Sequence, residues 1–266
     1  MDTTSAGAVA WRVEGKIGHV TLNRPDRLNA FDLELANQFL EALERFRRDG
    51  EVRVVVVRGA GRVFSVGGDV REMSDDVERK KDPAAYFRAP LATFHKMTLA
   101  IRELPKPVLA VVHGAVAGVA FNVMLACDLR LAAAGTRFTQ AFVKLGLSPD
   151  GGGTFFLPRE VGYARACELA MLPTQLDAAT AQSWGLVNWV VAPEALEDEA
   201  AKISGRLAAG PSSALARMKA LLNQSETRSL ADQLVAERLA QVDNSASPNF
   251  GEGLKAFLQK REPRFE

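Results

Sequence analysis

Residues 107–127 read P-V-L-A-V-V-H-G-A-V-A-G-V-A-F-N-V-M-L-A-C, and the reading of this stretch decides the fold. It carries no formal charge and has about the length of a bilayer span, roughly 20 residues. His113, Gly114, Gly118 and Asn122 argue against lipid. The β-branched run Val108–Val112 reads as a buried strand, the glycines that follow as a turn, and the remainder as an apolar helix. On this reading the chain has no membrane partner.

Working outward, two more β-branched runs, at residues 19–22 and 52–57, alternate with helical patterns, which is the rhythm of an α/β protein. The clearest helix starts after Asp32, a natural N-cap. Ala36, Phe39, Leu40, Leu43 and Phe46 give it one apolar face, and Arg45, Arg47 and Arg48 favour its negative end before Gly50. Beyond Pro193 strand signals cease, and helices are expected to open near Pro211, Ser229 and Pro248. The expected division is a core at residues 1–200 and a helical region at 201–266.

With 266 residues, 47% of them hydrophobic and 24% charged, the chain can bury a sizeable core. Thirty-three Lys and Arg against 32 Asp and Glu leave a net charge of +1, so no overall field invites nucleic acid. Cys127 and Cys167 stand far apart in apolar surroundings and read as reduced thiols, which fits the cytoplasm. The start, M-D-T-T-S-A-G-A-V-A-W, has an acid where a secretory leader needs bases, so no leader is expected.

Three features carry candidate chemistry. In F-S-V-G-G-D (64–69), glycines precede a helix start at which Asp69 and Glu72 have capping-box spacing. Backbone N–H groups exposed there suit a phosphate or an oxygen gaining charge, although a capped tight turn is the plainer account. H-G-A-V-A-G-V (113–119) leads from strand through small residues to helix and offers a second set of donors. G-L-S-P-D-G-G-G-T (146–154) places the single acid Asp150 between a proline and three glycines. Its glycines suggest a phosphate cradle, but no Lys-Ser or Lys-Thr follows, and Asp150 could serve simply as a helix N-cap. His19 and His113 read as strand histidines, and no cluster has metal-ligand spacing.

These motifs, with L-N-R-P-D-R-L-N-A-F (22–31), K-P-V-L-A-V-V-H-G-A-V-A-G (106–118) and A-C-D-L-R-L-A (126–132), resemble in order and spacing the enoyl-CoA hydratase/isomerase (crotonase) superfamily. The resemblance runs from about Trp11 to the C-terminal end. It implies a spiral of ββα units with a C-terminal helical region that assembles homotrimers, often paired into hexamers. It also implies an acyl-CoA thioester as ligand, with coenzyme A as part of the substrate and no separate cofactor. The thioester carbonyl is expected between the backbone N–H groups of Gly68 and Val119. Val119 departs from the glycine usual at its position, and a β-branched residue tolerates positive φ poorly.

The resemblance also bears on the reaction. Hydratases of the family use two glutamates, and this chain has Asn122 and Phe142 at the matching positions, neither able to exchange a proton near neutral pH. Phe142 would leave an apolar wall that desolvates a nearby carboxylate and raises its pKa. Asp150 is then the one proton-transfer group expected in the pocket, which suits isomerisation. The stretch V-K-L-G-L-S-P-D-G-G-G-T-F-F-L-P-R is similar to the aspartate-bearing isomerases of phenylacetate breakdown, which rearrange ring-epoxide or enoyl thioesters. Alternatives are an atypical hydratase, an aroyl-CoA dehalogenase-like hydrolase with Asp150 as nucleophile and His95 as its histidine, and a non-catalytic acyl-CoA-binding oligomer.

By the same resemblance, Arg27, Leu28 and Ala30 lie along the nucleotide and pantetheine path, and Val66 and Asp69 flank the first donor. Phe257 and Lys260 close on the adenosine end from the last helix. Tyr86, Phe87 and Phe94, after the charged run at 78–82, are candidates to cover the acyl pocket or to pack in the core.

Overall fold

The structure, a computed structural model, describes residues 3–4 and 7–266. Part of the N-terminal stretch examined for a leader, residues 1, 2, 5 and 6, lies outside the described residues. The chain begins with β1 (Thr3–Thr4), β2 (Val9–Glu14), β3 (Ile17–Leu22), α1 (Leu33–Arg48), β4 (Val54–Gly59), α2 (Val70–Lys80) and α3 (Pro83–Glu103). Next come β5 (Val108–Val112), β6 (Ala115–Ala117), α4 (Val119–Ala126), β7 (Leu129–Ala133), β8 (Arg137–Thr139), α5 (Gly153–Val161) and α6 (Tyr163–Met171). The remainder is β9 (Gln175–Asp177), α7 (Ala178–Ser183), β10 (Trp189–Val191), α8 (Leu196–Ala208), α9 (Ser212–Gln224), α10 (Leu230–Ser245) and α11 (Pro248–Leu258).

Seven strands form one sheet in the order β1-β2-β3-β4-β5-β7-β10, and β6-β8-β9 form a second. Pairing is antiparallel through β1, β2 and β3 and parallel from β3 to β10. The unbroken valines of β4 follow from burial on both faces, as parallel strands require. Val55 and Val57 face the cluster that contains Leu35, Phe39, Leu43, Met97 and Phe121, whereas Val56 faces Leu196, Ala200 and Ile203 of α8. Successive side chains thus alternate between two cores.

The 107–127 stretch folds as strand, turn and helix, with one addition. The small residues after His113–Gly114 make the short strand β6 before α4 begins. Three residues are too few to show a period, so only pairing with β8 reveals it. Among the described residues no helix is long and apolar enough to cross a membrane. Asp32 caps α1 by accepting from the Leu35 N–H at 2.8 Å, and Asp69 caps α2 by accepting from the Glu72 N–H at 3.2 Å.

Helix α8 straddles residue 200 and packs on the sheet, and α9, α10 and α11 follow it. Lys219 of α9 is buried and spans the junction: its Nζ lies 2.7 Å from an Asp128 carboxylate oxygen and donates to the carbonyls of Ile101 and Lys106.

Candidate active site

Two strand-to-helix turns are stitched side by side. The Ser65 N–H donates to the Ala115 carbonyl at 3.1 Å, and the Ala117 N–H returns a bond of 3.1 Å to the Ser65 carbonyl. The segment at 28–31 joins the same layer. The Val66 N–H donates to Leu28, the Phe31 N–H to Gly67 at 2.7 Å, and the Asp69 N–H to Phe31 at 2.9 Å. In this parallel bridge Gly67 and Asp69 make the bonds to Phe31, so the Gly68 N–H stays out of the ladder. Gly67 permits the approach: its φ is +94°, and a Cβ there would lie 2.7 Å from the Ala117 carbonyl oxygen.

The second donor is less strained than its β-branched side chain suggests. The positive φ, 53°, falls on Gly118, and Val119 is the first residue of α4 outside the positive-φ region. Its N–H is one of the four at a helix start that lack an intrahelical acceptor.

Asp150 does not cap a helix. Gly152 is the N-cap of α5 and Asp150 supplies only its carbonyl, which accepts from the Gly153 N–H at 2.9 Å. Among the described residues its buried Oδ1 has no hydrogen-bond partner. Burial pushes the carboxyl up to about 6, against a small opposing effect of its own backbone N–H. A short 3-10 turn at Ala141–Leu145 sets Phe142, which is buried, beside it.

Gly68, Gly118, Val119 and Asp150 line one narrow cavity of about 100 Å³. Its walls carry the rings of Phe31, Tyr86, Phe87, Phe94 and Phe142, with Val66, Val70, Met73, Leu91, Leu145 and Leu147 between them. Tyr86 is the other titratable residue of the lining. Burial, then Glu72, Asp69, Asp32 and Asp76, push its hydroxyl up to about 12, so it stays neutral. The expected cover residues Tyr86, Phe87 and Phe94 are therefore part of the wall.

A charged cluster stands beside Gly68. Arg24 pairs with Asp32 and lies 3.6 Å from Asp69, and Arg27 lies 3.3 Å from Asp69 while its side chain is half exposed. Ligand atoms of Asp32, Asp69 and Glu72 fall within 4.8 Å of one another, a grouping that sequence spacing did not reveal. The two arginines supply positive charge there. Burial first, then Asp32 and Asp69, raise the Glu72 carboxyl above its ordinary value.

Other expected residues lie elsewhere. Phe257 lines a separate cavity between α9, α10, α11 and Phe265, and Lys260 is exposed past α11. This single chain does not bring either of them to Gly68 and Asp150. His95 is exposed and faces a cavity on the far side of Gly151 and Gly152, not the one holding Asp150. His113 lies just past β5, with Nε2 2.9 Å from the Gly61 carbonyl, and His19 is buried in β3 with its pKa lowered to about 4, mainly by burial.

The sequence reading named Asn122 only as unable to exchange a proton, and missed the polar bonds beneath the site. Asn122 is fully buried; its Nδ2 donates to the Asp150 carbonyl at 2.7 Å and its Oδ1 accepts from Gln140 Nε2 at 2.6 Å. Thr98 Oγ1 donates to the Gly151 carbonyl at 2.9 Å. Asn29, in the left-handed region at φ 54°, donates to the carbonyls of Ala60, Val63 and Phe64 and so holds the first donor turn. An amide amid an apolar helix was the available signal, since a buried polar group needs partners.

Two strand-to-helix turns and one carboxylate lining a single apolar cavity are the arrangement expected of a crotonase-type site. Residues 12–266 match the enoyl-CoA hydratase/isomerase family profile. The chain belongs to that family, whose enzymes act on acyl-CoA thioesters. It is 39% identical over 254 residues to the 1,2-epoxyphenylacetyl-CoA isomerase of Escherichia coli strain K12, covering 95% of this chain and 96% of that one. It is 35% identical over 257 residues to a trans-2-decenoyl-[acyl-carrier-protein] isomerase of Streptococcus mutans, covering 97% of each. Among solved structures, an enoyl-CoA hydratase from Polaromonas sp. JS666 superposes with a TM-score of 0.92 at 36% identity, covering 98% of this chain and 100% of that one. The expected crotonase fold is thereby found.

Proposed function

We propose that the protein is an acyl-CoA isomerase that moves a double bond, or opens and rearranges a ring epoxide, in an enoyl-CoA thioester by means of one carboxylate. The observation that carries this reading is the placement of Asp150, with an unpartnered buried oxygen and a pKa near 6, in the same cavity as Gly68 and Val119. For a 3-enoyl thioester, ionised Asp150 takes a proton from carbon 2, and the electron pair spreads over the thioester oxygen and carbons 2 to 4. The Gly68 and Val119 N–H groups hold the oxygen as it gains charge, and protonated Asp150 returns the proton to carbon 4. A general base contributes roughly 10²–10⁴-fold and one such donor about 10²–10³-fold.

Isomerisation fits better than hydration, because Asn122 uses both ends of its amide in structural bonds and Phe142 presents only a ring. The dehalogenase-like alternative loses support from His95, which does not share the cavity with Asp150. Arg27, Leu28 and Ala30 lie along the coenzyme A portion on this reading, with Arg27 half exposed, and Val66 and Asp69 flank the first donor. Assembly into homotrimers or hexamers belongs to the same proposal. Helix α10 has no buried residue and exposes Leu230, Leu234, Val235, Leu239 and Val242 around its circumference, apolar surface that further copies would cover.

The test is an assay of 3-hexenoyl-CoA in deuterium oxide, following double-bond migration, hydration and exchange at carbon 2 together. Migration with exchange and little hydration is the expected outcome. Hydration as the main product, or acyl-CoA binding without exchange, overturns the proposal.

A further inference from the structure

The Asp150 loop is held by its main chain. Of its two carboxylate oxygens, Oδ1 has no partner among the described residues. The bonds that fix the loop arrive from two helices: Asn122 on α4 to the Asp150 carbonyl and Thr98 on α3 to the Gly151 carbonyl. All three side chains of this arrangement, Asn122, Gln140 and Thr98, are buried.

The donor order follows from elementary chemistry. A carbonyl oxygen only accepts, so Asn122 must turn its NH₂ toward Asp150 and its oxygen toward Gln140. Gln140 must then present its own NH₂, which is the arrangement found. Gly153 admits Asn122 to this place: a Cβ on Gly153 would lie 2.6 Å from Asn122 Nδ2.

We propose that Asn122, oriented by Gln140, and Thr98 are positioning residues that clamp the main chain at Asp150 and Gly151, so that the Asp150 carboxylate is held in the apolar cavity that Gly68 and Val119 also line. This rests on the isomerase reading above. It assigns to the amide at 122 a task distinct from proton transfer, namely fixing the geometry of the group that transfers the proton. The charges on neighbouring elements are engaged elsewhere: Arg102 lies over the Phe156 ring, Arg159 pairs with Glu226, and Glu160 pairs with Arg130. His95 and Lys144 are exposed, and Tyr86 is neutral. Displacement of the loop therefore shows directly in the titration of Asp150.

The experiment compares Asn122→Leu, Gln140→Leu, their double variant, Thr98→Val and Asp150→Asn in the full-length protein. Turnover of 3-hexenoyl-CoA is measured across pH, with butyryl-CoA affinity as the binding probe and thermal melts as the check on folding. Loosening the clamp is expected to lower kcat about 10- to 100-fold for Asn122→Leu and Gln140→Leu, and about 3- to 10-fold for Thr98→Val. The acid limb of the kcat profile is expected to move from near pH 6 toward 4, while butyryl-CoA affinity stays within about twofold. The double variant is expected to be no worse than Asn122→Leu, because both residues act through one carbonyl. Should Asn122→Leu fold poorly, Thr98→Val, which keeps its shape, carries the test. Wild-type kcat and an unmoved acid limb in the folded variants, with Asp150→Asn inactive, overturn the clamp and leave the isomerase reading intact. Loss of kcat in step with butyryl-CoA affinity, at an unmoved acid limb, also overturns the clamp. Full turnover by Asp150→Asn overturns the isomerase reading itself.

Discussion

Asn122 donates a 2.7 Å hydrogen bond to the carbonyl of Asp150, joining the apolar helix α4 to the loop that carries the carboxylate. One bond links the two features that looked least at home in the sequence, an amide inside a greasy helix and an acid among glycines. The site is therefore a mechanical unit.

Asp150→Asn is expected to lower isomerase turnover by about 10²–10⁴-fold and to make the protein more stable at pH 7. The folded carboxyl titrates near 6 against an ordinary 3.8, so the folded state binds the proton more tightly and ionisation costs stability as pH rises between those values. The variant's gain is at most about 3 kcal/mol, full above pH 6 and absent below about pH 4. Denaturant titrations at pH 4 and pH 7 check it; equal stability of the two proteins at pH 7 contradicts the burial argument.

The wild-type kcat/KM profile is expected to fall on its acid side with a midpoint near pH 6, because the base must be ionised. Opening the wall with Phe142→Ser admits water to the carboxylate and is expected to draw that midpoint down toward 4. Rate measurements from pH 4.5 to 8 decide the matter, and a limb indifferent to the residue at 142 argues against desolvation by that ring.

Val119→Pro removes the second donor at a helix position that accepts proline, the first of α4. A loss of about 10²–10³-fold in kcat is expected, with far less change in acyl-CoA affinity. Val119→Ala, which keeps the N–H, serves as comparator. Equal activity of the two variants removes this N–H from the mechanism.

Gly67→Ala tests the closeness of the two donor turns. A Cβ 2.7 Å from the Ala117 carbonyl, on a residue at φ +94°, must push the turns apart. A loss of about 100-fold or more in turnover is expected from the misplaced donors, together with a lowered Tm. Wild-type kinetics in this variant would show that the spacing of the turns is not critical.

Much of the fold was legible in the chain because its strongest signals are local. Asp32 and Asp69 cap the helices they were expected to cap, and Val108–Val112 is a strand. The helices near Pro211, Ser229 and Pro248 open where expected. The short strands β6, β8 and β9 were not legible, since three residues show no period and only pairing across distant segments defines them. Gly68, Val119, Phe142 and Asp150, named from motifs, line one cavity. The bonds from Thr98, Gln140 and Asn122 were not legible: two of them end on main-chain carbonyls, which leave no mark on sequence, and the third joins Gln140 to Asn122 across 18 positions. Val119 shows a subtler limit: the strain expected at a β-branched residue is taken by the glycine before it.

The turn at Gly67–Gly68 is fastened to Phe31 through peptide groups, and Ser65 just before it is bonded to Ala115 and Ala117 in the same way. On the proposed reading, the donors that grip the thioester oxygen are main-chain groups, whereas the side chains that choose the reaction stand at three positions, 122, 142 and 150. A scaffold divided in this way can be re-tooled for new chemistry by a few substitutions without being rebuilt.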